Sequence, residues 1–163
     1  MYLKRRLRED LFIFKSLRFP YVKKTSFKGF RYNATIGIGG NIGDVKRRFE
    51  HLFVALQKER SLDIKATSLI LQNPPFGYTK QDDFFNSIMV VSTNMTPQRF
   101  LQYLLHLEKK FARKRSFANA PRTLDLDIIF FDNRTISTQN LKVPHPCWAE
   151  RESVVIPLAS MHR

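Results

Sequence analysis

Two aspartates, Asp125 and Asp127, stand at the head of an otherwise apolar segment, PRTLDLDIIFFD, which covers residues 121–132. Alternate side chains of a β-strand point to the same face, so both carboxylates share a face with Ile129 and Phe131. Their Cα atoms should lie roughly 6.6 Å apart, from a rise of 3.3 Å per residue. Two unpaired carboxylates this close to each other and to an apolar surface repel and are costly to desolvate. We therefore expect a positive group between them, either a metal ion or arginine side chains.

Basic residues precede this pair in the sequence, among them Arg113, Lys114, Arg115 and Arg122. An ordinary cluster of surface ion pairs would account for such a pattern. The alternative is phosphoryl-transfer chemistry, in which the aspartates hold Mg²⁺ while arginine forks bind phosphate. Mg²⁺ suits this hypothesis because it takes one or two carboxylates together with waters and phosphate oxygens. Spacing alone does not decide between the two hypotheses.

A glycine-rich segment, GIGGNIGD at residues 37–44, lies between an apolar stretch and an amphipathic one. A turn of this kind between a strand and a helix brings backbone N–H groups to an anion. The sequence contains no Walker A pattern, and this segment lacks the lysine of one. Alone, the segment is weak evidence for a phosphate site.

The elements that must position these residues follow from hydrophobic periodicity. Strands are predicted over 33–40, 61–72, 84–94 and 123–132, and helices over 41–60 and 96–111. The order β-α-β-β-α-β is the ferredoxin-like α+β arrangement, an antiparallel sheet with helices packed on it. After the last strand we expect loop and one short helix.

Residues 1–32 are predicted to be a basic N-terminal extension ahead of one domain that covers 33–163. They contain ten of the 28 Lys and Arg residues and two of the 14 Asp and Glu residues, in a chain of net charge +14. Four apolar residues of this extension have the spacing of one helical face: Leu3, Leu7, Leu11 and Phe14. A basic amphipathic helix could contact a membrane surface or nucleic acid. The extension could instead pack on its own domain, as a helix or a hairpin.

The single cysteine, Cys147, excludes an internal disulfide and fits a reducing compartment. No apolar run approaches the ~18 residues of a membrane span. The apolar stretch LFIF at 11–14 is too short for a secretory signal. We therefore expect a cytoplasmic protein without a membrane partner.

The segment PRTLDLDIIFFDN, followed by VPHP at 143–146, resembles the signature of the 6-hydroxymethyl-7,8-dihydropterin pyrophosphokinases, enzymes of folate biosynthesis. The resemblance extends through GIGGNIGD, NPPFGYTKQDDFFNS, HLEKKFARKR and ERESVVIPL, so that it covers residues 34–158. The aspartate block is highly specific and the other blocks support it. The basic extension lies outside the resemblance.

This resemblance implies an ATP-dependent pyrophosphokinase, a diphosphotransferase with a ferredoxin-like fold. It would transfer the β,γ-pyrophosphoryl group of MgATP to the hydroxymethyl oxygen of a dihydropterin, giving AMP and the pterin pyrophosphate. The implied partners are these two small molecules, with two Mg²⁺ ions as cofactors. We expect a monomer.

The same resemblance implies the site residues, position by position. Asp125 and Asp127 match the ligands of the two Mg²⁺ ions, and with Arg113 and Arg122 they match the catalytic set. The residues that match ATP contacts are Glu108, Arg115, Arg122, Ile128, His145 and Arg151. The residues that match the pterin pocket are Asn73, Pro74, Phe76, Phe84 and Asn86.

Several positions depart from the family pattern. Ser153 stands where a phenylalanine usually closes the second face of the pterin, and Trp148 is a candidate substitute. Ala112 and Ala120 replace customary glycines beside the basic loop, and Ala118 replaces a frequent arginine. These departures leave open what stacks on the pterin and how the loop closes over ATP.

The main alternative is a non-catalytic basic relative of the family that binds nucleic acid or another partner. Ferredoxin-like sheets that read RNA expose aromatic residues in the pattern K/R-G-F/Y-G/A-F-V-x-F/Y. The segment FKGFRYNATIG at 27–37 precedes the first predicted strand and lacks this spacing. The two aspartates would also repel a polyanion unless metal is bound. A nucleic-acid partner is therefore not favoured, although the extension could carry a separate interaction beside an active enzyme.

Overall fold

The computed structural model describes residues 1–25 and 29–162. Phe27 and Lys28, at the start of the segment compared with RNA readers, lie outside the described residues. The strands are β1 Leu3–Arg8, β2 Leu11–Lys15, β3 Tyr21–Val22, β4 Tyr32–Gly40, β5 Leu62–Thr67, β6 Ile70–Asn73, β7 Phe84–Thr93, β8 Asp125–Phe131, β9 Ile136–Ser137 and β10 Lys142–Val143. The helices are α1 Val45–Gln57, α2 Pro97–Lys110 and α3 Glu152–Ala159, with a 3₁₀ turn at Trp148–Glu150.

The main sheet has eight strands in the order β1-β2-β6-β7-β4-β8, with β5 pairing to β7 and to β3. All of its strand pairs are antiparallel. The predicted ferredoxin-like α+β class is therefore confirmed. The short strands β9 and β10 form a separate pair.

Helices α1 and α2 pack on one face of this sheet. The Asp44 carboxylate caps α1 by accepting the Arg47 N–H at 3.1 Å, and the Thr96 hydroxyl caps α2. Helix α1 packs on β5 and β4, and helix α2 packs on β8, in a core that includes Phe49 and Phe100. In the described residues, no helix has the length and apolar character needed to cross a bilayer.

Helix α3 packs on the opposite face. Its Val154 joins Ile88 of β7 and Ile129 of β8 in a second apolar cluster. This helix covers only part of that face. The head of β8 remains open beside it.

A β-bulge in β8 reverses the orientation of its last residues. Thr35 of β4 pairs with Phe130, but Ile36 pairs with Ile128, so β8 has one extra residue between these pairs. Phe131 consequently points into the core beneath α1 and α2, where it is fully buried. The prediction that Phe131 shares a face with the two aspartates is wrong for this reason.

The single strand predicted over 61–72 is two strands, β5 and β6. The chain departs from the ladder at Ser68, whose hydroxyl accepts the Ile88 N–H at 2.8 Å and lies 2.8 Å from the Ser87 hydroxyl. A side-chain hydroxyl thus takes the place of a ladder carbonyl. The break directs β6 away from β5 and towards β2.

Residues 3–15 form a β-hairpin, and the prediction of an amphipathic helix there is wrong. Strand β2 pairs with β6, so the hairpin continues the main sheet. Leu11 and Ile13 are buried in one apolar cluster, and Phe14 is buried in another. Burial thus follows the two-residue alternation of a β-strand, although the spacing of Leu3, Leu7 and Leu11 also fits a helix. Leu7 is 45% exposed. The alternative of a hairpin packed on its own domain is confirmed, and a domain boundary before residue 33 stays a prediction.

Candidate active site

A cavity of about 710 Å³ opens on the sheet face opposite α1 and α2. Strands β4, β7 and β8 form its floor, the loop after β6 forms one wall, and the start of α3 forms another. Its lining residues include Asp10, Gly37, Gly39, Asn73, Pro74, Phe76, Phe84, Asn86, Arg122, Asp125, Asp127, His145, Arg151, Glu152 and Ser153. The structure therefore brings most of the predicted site residues together around one volume.

Two glycines of β4 leave space at the floor of this cavity, because they have no side chains to fill it. Gly39 lies between Asn86 of β7 and Asp125 of β8, and Gly37 pairs with Asp127. A Cβ at Gly39 would lie 2.6 Å from the Asn86 Oδ1, which is closer than van der Waals contact allows. These glycines of the GIGGNIGD segment thus leave space between the amide and the carboxylates.

Two arginines hold Asp125. Its Oδ1 accepts a short hydrogen bond from Arg113, and its Oδ2 accepts one from Arg122 at 3.0 Å. Arg113 also donates to Glu108 Oε1 at 2.7 Å, and Arg115 donates to Glu108 Oε2 at 3.0 Å. The positive groups expected beside the aspartates are therefore present for Asp125 as arginines.

Glu108 is the buried centre of this ion-pair network, with 2% of its surface exposed. It accepts the Leu126 N–H at 2.8 Å, which ties α2 to the head of β8. Burial raises the pKa of the Glu108 carboxyl, against the opposing effects of this backbone bond and of Arg113. Its side chain lies beneath the cavity, and the side chain of Ile128 lies in the core. Contacts of these two residues with ATP stay predictions.

Asp127 forms no ion pair or side-chain hydrogen bond with any residue that the structure describes. Its carboxylate faces the cavity, two residues after Asp125 on the same face of β8. Burial, followed by the negative charges of Asp125 and Glu108, raises the pKa of Asp127 to about 7. Arg113 and Arg151 offset only part of this effect. The ionised form of this side chain needs additional positive charge.

The donor set suits Mg²⁺ bound together with a phosphate ligand. Across residues 1–25 and 29–162, no three His, Cys, Asp or Glu side chains lie close enough together to hold a metal ion by themselves. Mg²⁺ needs only one or two protein carboxylates when waters and phosphate oxygens complete its coordination. Asp125 and the uncompensated Asp127 meet that requirement.

The arginines also border a smaller cavity of about 350 Å³, which is lined by residues 113–122 of the basic loop. Arg122 contributes to both cavities, and its guanidinium lies 5.3 Å from the centre of the Phe84 ring. The Arg115 side chain is 65% exposed. Arg122 therefore connects the aspartates to the aromatic side of the main cavity, while Arg115 remains accessible from solvent.

His145 borders the main cavity, where its backbone N–H donates to the carbonyl of Ile129 at 2.9 Å. Its Nδ1 is buried and has no hydrogen-bond partner in the described part of the chain. Burial and the nearby Arg151 lower the pKa of the imidazole. The lowered pKa favours the neutral imidazole, whose buried Nδ1 is left without a partner among the described residues.

The five residues predicted for the pterin pocket line the same cavity as the aspartates. The Asn86 Nδ2 donates to the Asn73 Oδ1 at 2.7 Å, which fixes both amides in the floor. Phe84 supplies a ring beside them, and Pro74 begins the wall. Phe76 stands at the rim, 82% exposed.

The departures from the family pattern have visible structural consequences. Ser153 lines the cavity, whereas Trp148 packs edge-on against Phe130 with ring centres 4.9 Å apart. Trp148 is absent from the described lining and does not replace the aromatic that Ser153 lacks. Ala112 has a φ of 61°, a left-handed conformation that favours glycine.

Sequence reasoning missed Asn41, a buried amide that joins the two loops of the site. Its Oδ1 accepts the Arg122 N–H at 2.9 Å, and its Nδ2 donates to Gln81 Oε1 at 2.9 Å and to the Asp82 carbonyl at 3.0 Å. Gln81 in turn donates to the Asn119 carbonyl at 2.8 Å. The only sequence signal was a polar residue within the glycine-rich segment, which does not reveal partners so distant along the chain.

Comparison with known proteins gives consistent matches. The family model described as 7,8-dihydro-6-hydroxymethylpterin-pyrophosphokinase matches residues 35–163. A Campylobacter jejuni protein is 42% identical over 144 residues, which cover 88% of this chain and 91% of that protein. A Helicobacter pylori protein is 36% identical over 80% of this chain and 81% of its own length. A Bacillus subtilis protein is 34% identical over 78% and 77%, respectively. All three are named 2-amino-4-hydroxy-6-hydroxymethyldihydropteridine pyrophosphokinase.

Proposed function

The chain belongs to the 7,8-dihydro-6-hydroxymethylpterin-pyrophosphokinase family, and we propose that its main cavity is the place where pyrophosphate passes from ATP to the pterin. The protein is an ATP-dependent pyrophosphokinase of folate biosynthesis. It transfers the β,γ-pyrophosphoryl group to the hydroxymethyl oxygen of the dihydropterin and releases AMP. The alternative of a non-catalytic nucleic-acid-binding relative is not favoured.

The observation that supports this site most strongly is the uncompensated carboxylate of Asp127 beside the arginine-bound Asp125. These two residues would hold two Mg²⁺ ions between the nucleotide and the pterin alcohol. When bound, Mg²⁺ supplies neutralisation of phosphate charge and lowers the pKa of a coordinated hydroxyl. Asp127 would then be fully ionised, because the cation supplies the positive charge that this part of the protein lacks.

The arginines would hold the transferring group in place. Arg122 borders both cavities and is long enough to exchange its bond with Asp125 for one with a phosphate oxygen. Arg113 is more deeply buried, at 10% exposure, and its bonds to Glu108 and Asp125 suit it to orient the first metal ligand. Such preorganised charge is the main contribution that a protein makes to phosphoryl transfer.

The pterin would lie over the floor between Asn86 and Phe84. A flat heterocycle rich in amide-like groups needs hydrogen bonds at its edge and contact on its face. The Asn86–Asn73 pair offers an ordered donor and acceptor set, and Phe84 offers a ring. His145 and Arg151, on the opposite wall, would contact the ATP phosphates.

The function is tested by incubation with 6-hydroxymethyl-7,8-dihydropterin, ATP and Mg²⁺, with separation of the nucleotide products. We expect AMP, in amounts that depend on both the pterin and Mg²⁺. Asp127→Asn should abolish AMP formation, whereas Asp132→Asn, just beyond the far end of β8, should retain it. Failure of the folded wild-type protein to form AMP, or equal activity of the two variants, would contradict the proposal.

We further propose that the protein acts as a cytoplasmic monomer. The net charge of +14 opposes association of identical copies at low ionic strength. Light scattering during size-exclusion chromatography at 150 mM salt should give the mass of one chain, near 19.2 kDa. A mass of twice this value would refute the monomer.

A further inference from the structure

The turn between β1 and β2 reaches the mouth of the main cavity. Asp10, in this turn, lines the cavity together with Glu152 and Ser153 at the start of α3. The family model matches only residues 35–163, so the hairpin is additional to the matched region. Residues outside the region that the family model matches therefore contribute to the cavity wall that contains Ser153, the position where an aromatic side chain was expected.

Arg8 connects this turn to α3. Its Nη1 and Nη2 donate to the two carboxylate oxygens of Glu152 at 2.7 Å and 2.8 Å, and its Nε donates to Asp10 at 2.8 Å. A single exposed ion pair contributes little to stability. A bidentate arginine with a second carboxylate partner, however, fixes the relative position of the groups that it joins. The contact is thus better suited to positioning than to stabilising.

The hairpin also covers α3 with apolar side chains. Leu11 and Ile13 of β2 form a cluster with Leu71 of β6, against which Ile156 of α3 packs. Helix α3 has eight residues and contains Pro157. A helix this short depends on tertiary packing to remain formed. Helix α3 packs mainly on β7 and β6, and the hairpin adds to this support through Leu11, Ile13 and the Arg8–Glu152 bridge.

We propose that the N-terminal hairpin is the outer wall of the pterin pocket, and that Arg8 is a positioning residue that holds Glu152 and Ser153 of α3 against the bound pterin. This inference rests on the proposed function. With serine in place of an aromatic ring, the wall has no large stacking surface, so the fit to the pterin depends on where α3 is held. Arg8 acts through α3, and Asp10 borders the pterin directly.

The test compares Arg8→Ala with Arg5→Ala in the full-length chain. Arg5 lies on the same exposed strand, and its side chain forms no ion pair or hydrogen bond within the described residues. Both variants therefore lose one positive charge, and only Arg8→Ala loses the bridge. For Arg8→Ala we expect the KM for the pterin to rise by about three- to tenfold. The upper value corresponds to a loss of ~1.4 kcal/mol of binding free energy. The kcat and the KM for ATP should stay within about twofold of the wild type in both variants.

A second readout is pterin binding without turnover, measured by fluorescence titration with Mg²⁺ and a non-hydrolysable ATP analogue. Arg8→Lys keeps the charge but not the fork, and should give an intermediate affinity. The inference is overturned if Arg8→Ala only lowers the Tm, or if it behaves like Arg5→Ala, or if the KM for ATP rises equally. Inactive wild-type protein would instead refute the proposed function, so the two failures are distinguishable.

Discussion

Replacement of Asp127 by asparagine should stabilise the metal-free protein while abolishing its activity. The carboxylate lies in a partly buried position without a described partner, near the negative charges of Asp125 and Glu108. Asparagine keeps the shape of the side chain and removes the charge. Asp125→Asn is the matched control, because that residue is paired with Arg113 and Arg122 and its neutralisation breaks both pairs. The two variants should therefore shift stability in opposite directions.

The size of the effect follows from the pKa of Asp127, which the fold raises from 3.8 to about 7. Each pKa unit corresponds to 1.36 kcal/mol, so the ionised carboxylate costs the metal-free protein at most ~4 kcal/mol at pH 8. Water in the open cavity screens part of this cost, which leaves about 1–3 kcal/mol. For a domain of this size, 1 kcal/mol shifts the Tm by about 2–4 °C.

The sign of the pH dependence follows from proton binding. Between pH 3.8 and about 7 the folded protein keeps a proton on Asp127 that the unfolded chain has released. The free energy of unfolding of the wild type therefore falls as the pH rises through this window, relative to Asp127→Asn. The difference between the two proteins should be near zero at pH 4 and complete above pH 7.

The assay is urea unfolding with a chelator at pH 4, 6 and 8, repeated with Mg²⁺ and a non-hydrolysable ATP analogue. Carboxylates remote from Asp127 titrate equally in both proteins, so the difference reports Asp127 and the charged groups that act on it. The ligands should stabilise the wild type and not Asp127→Asn. The reasoning is refuted if Asp127→Asn is less stable than the wild type at pH 8 with chelator, or if the difference does not change with pH.

Three further substitutions test other parts of the site. Gly39→Ala places a Cβ 2.6 Å from the Asn86 Oδ1. Steady-state kinetics should therefore show a rise in the KM for the pterin of about tenfold or more. An unchanged KM would contradict the placement of the pterin. Asn41→Ala removes the bonds to both loops, and urea unfolding should show a loss of about 1–3 kcal/mol; a neutral result would mean that the loops are held otherwise. Ala112→Gly relieves the φ of 61° and should raise the free energy of unfolding by about 0.5–1 kcal/mol, whereas a decrease would show that this conformation is not strained.

The sequence by itself determined the elements and the chemistry that short-range patterns encode. Helical periodicity located α1 and α2, and short apolar segments located β4, β7 and β8, because each of these signals lies within a single element. The spacing of Asp125 and Asp127 placed both carboxylates on one face of β8. The family resemblance then named the reaction, and the cavity contains most of the residues that it implied.

Tertiary structure alone decided which of the two carboxylates has a partner. Both aspartates follow the same basic loop, yet Arg113 and Arg122 bind Asp125 and leave Asp127 without an ion pair in the described residues. The bulge that reverses Phe131 and the bonds of Asn41 to both loops were equally invisible in the sequence. Each depends on groups that are far apart along the chain and meet only when the sheet is assembled.

The N-terminal hairpin shows the same limit for secondary structure. Leucines four residues apart satisfy a helical pattern, while Leu11, Ile13 and Phe14 also satisfy a strand, so a short segment allows both. What selects the strand is the available edge of β6, to which β2 pairs. Local periodicity indicates which side chains of a segment can be buried together as a helix or as a strand. The partner surface determines which of the two forms, because backbone pairing and apolar contact are gained only in the assembled fold.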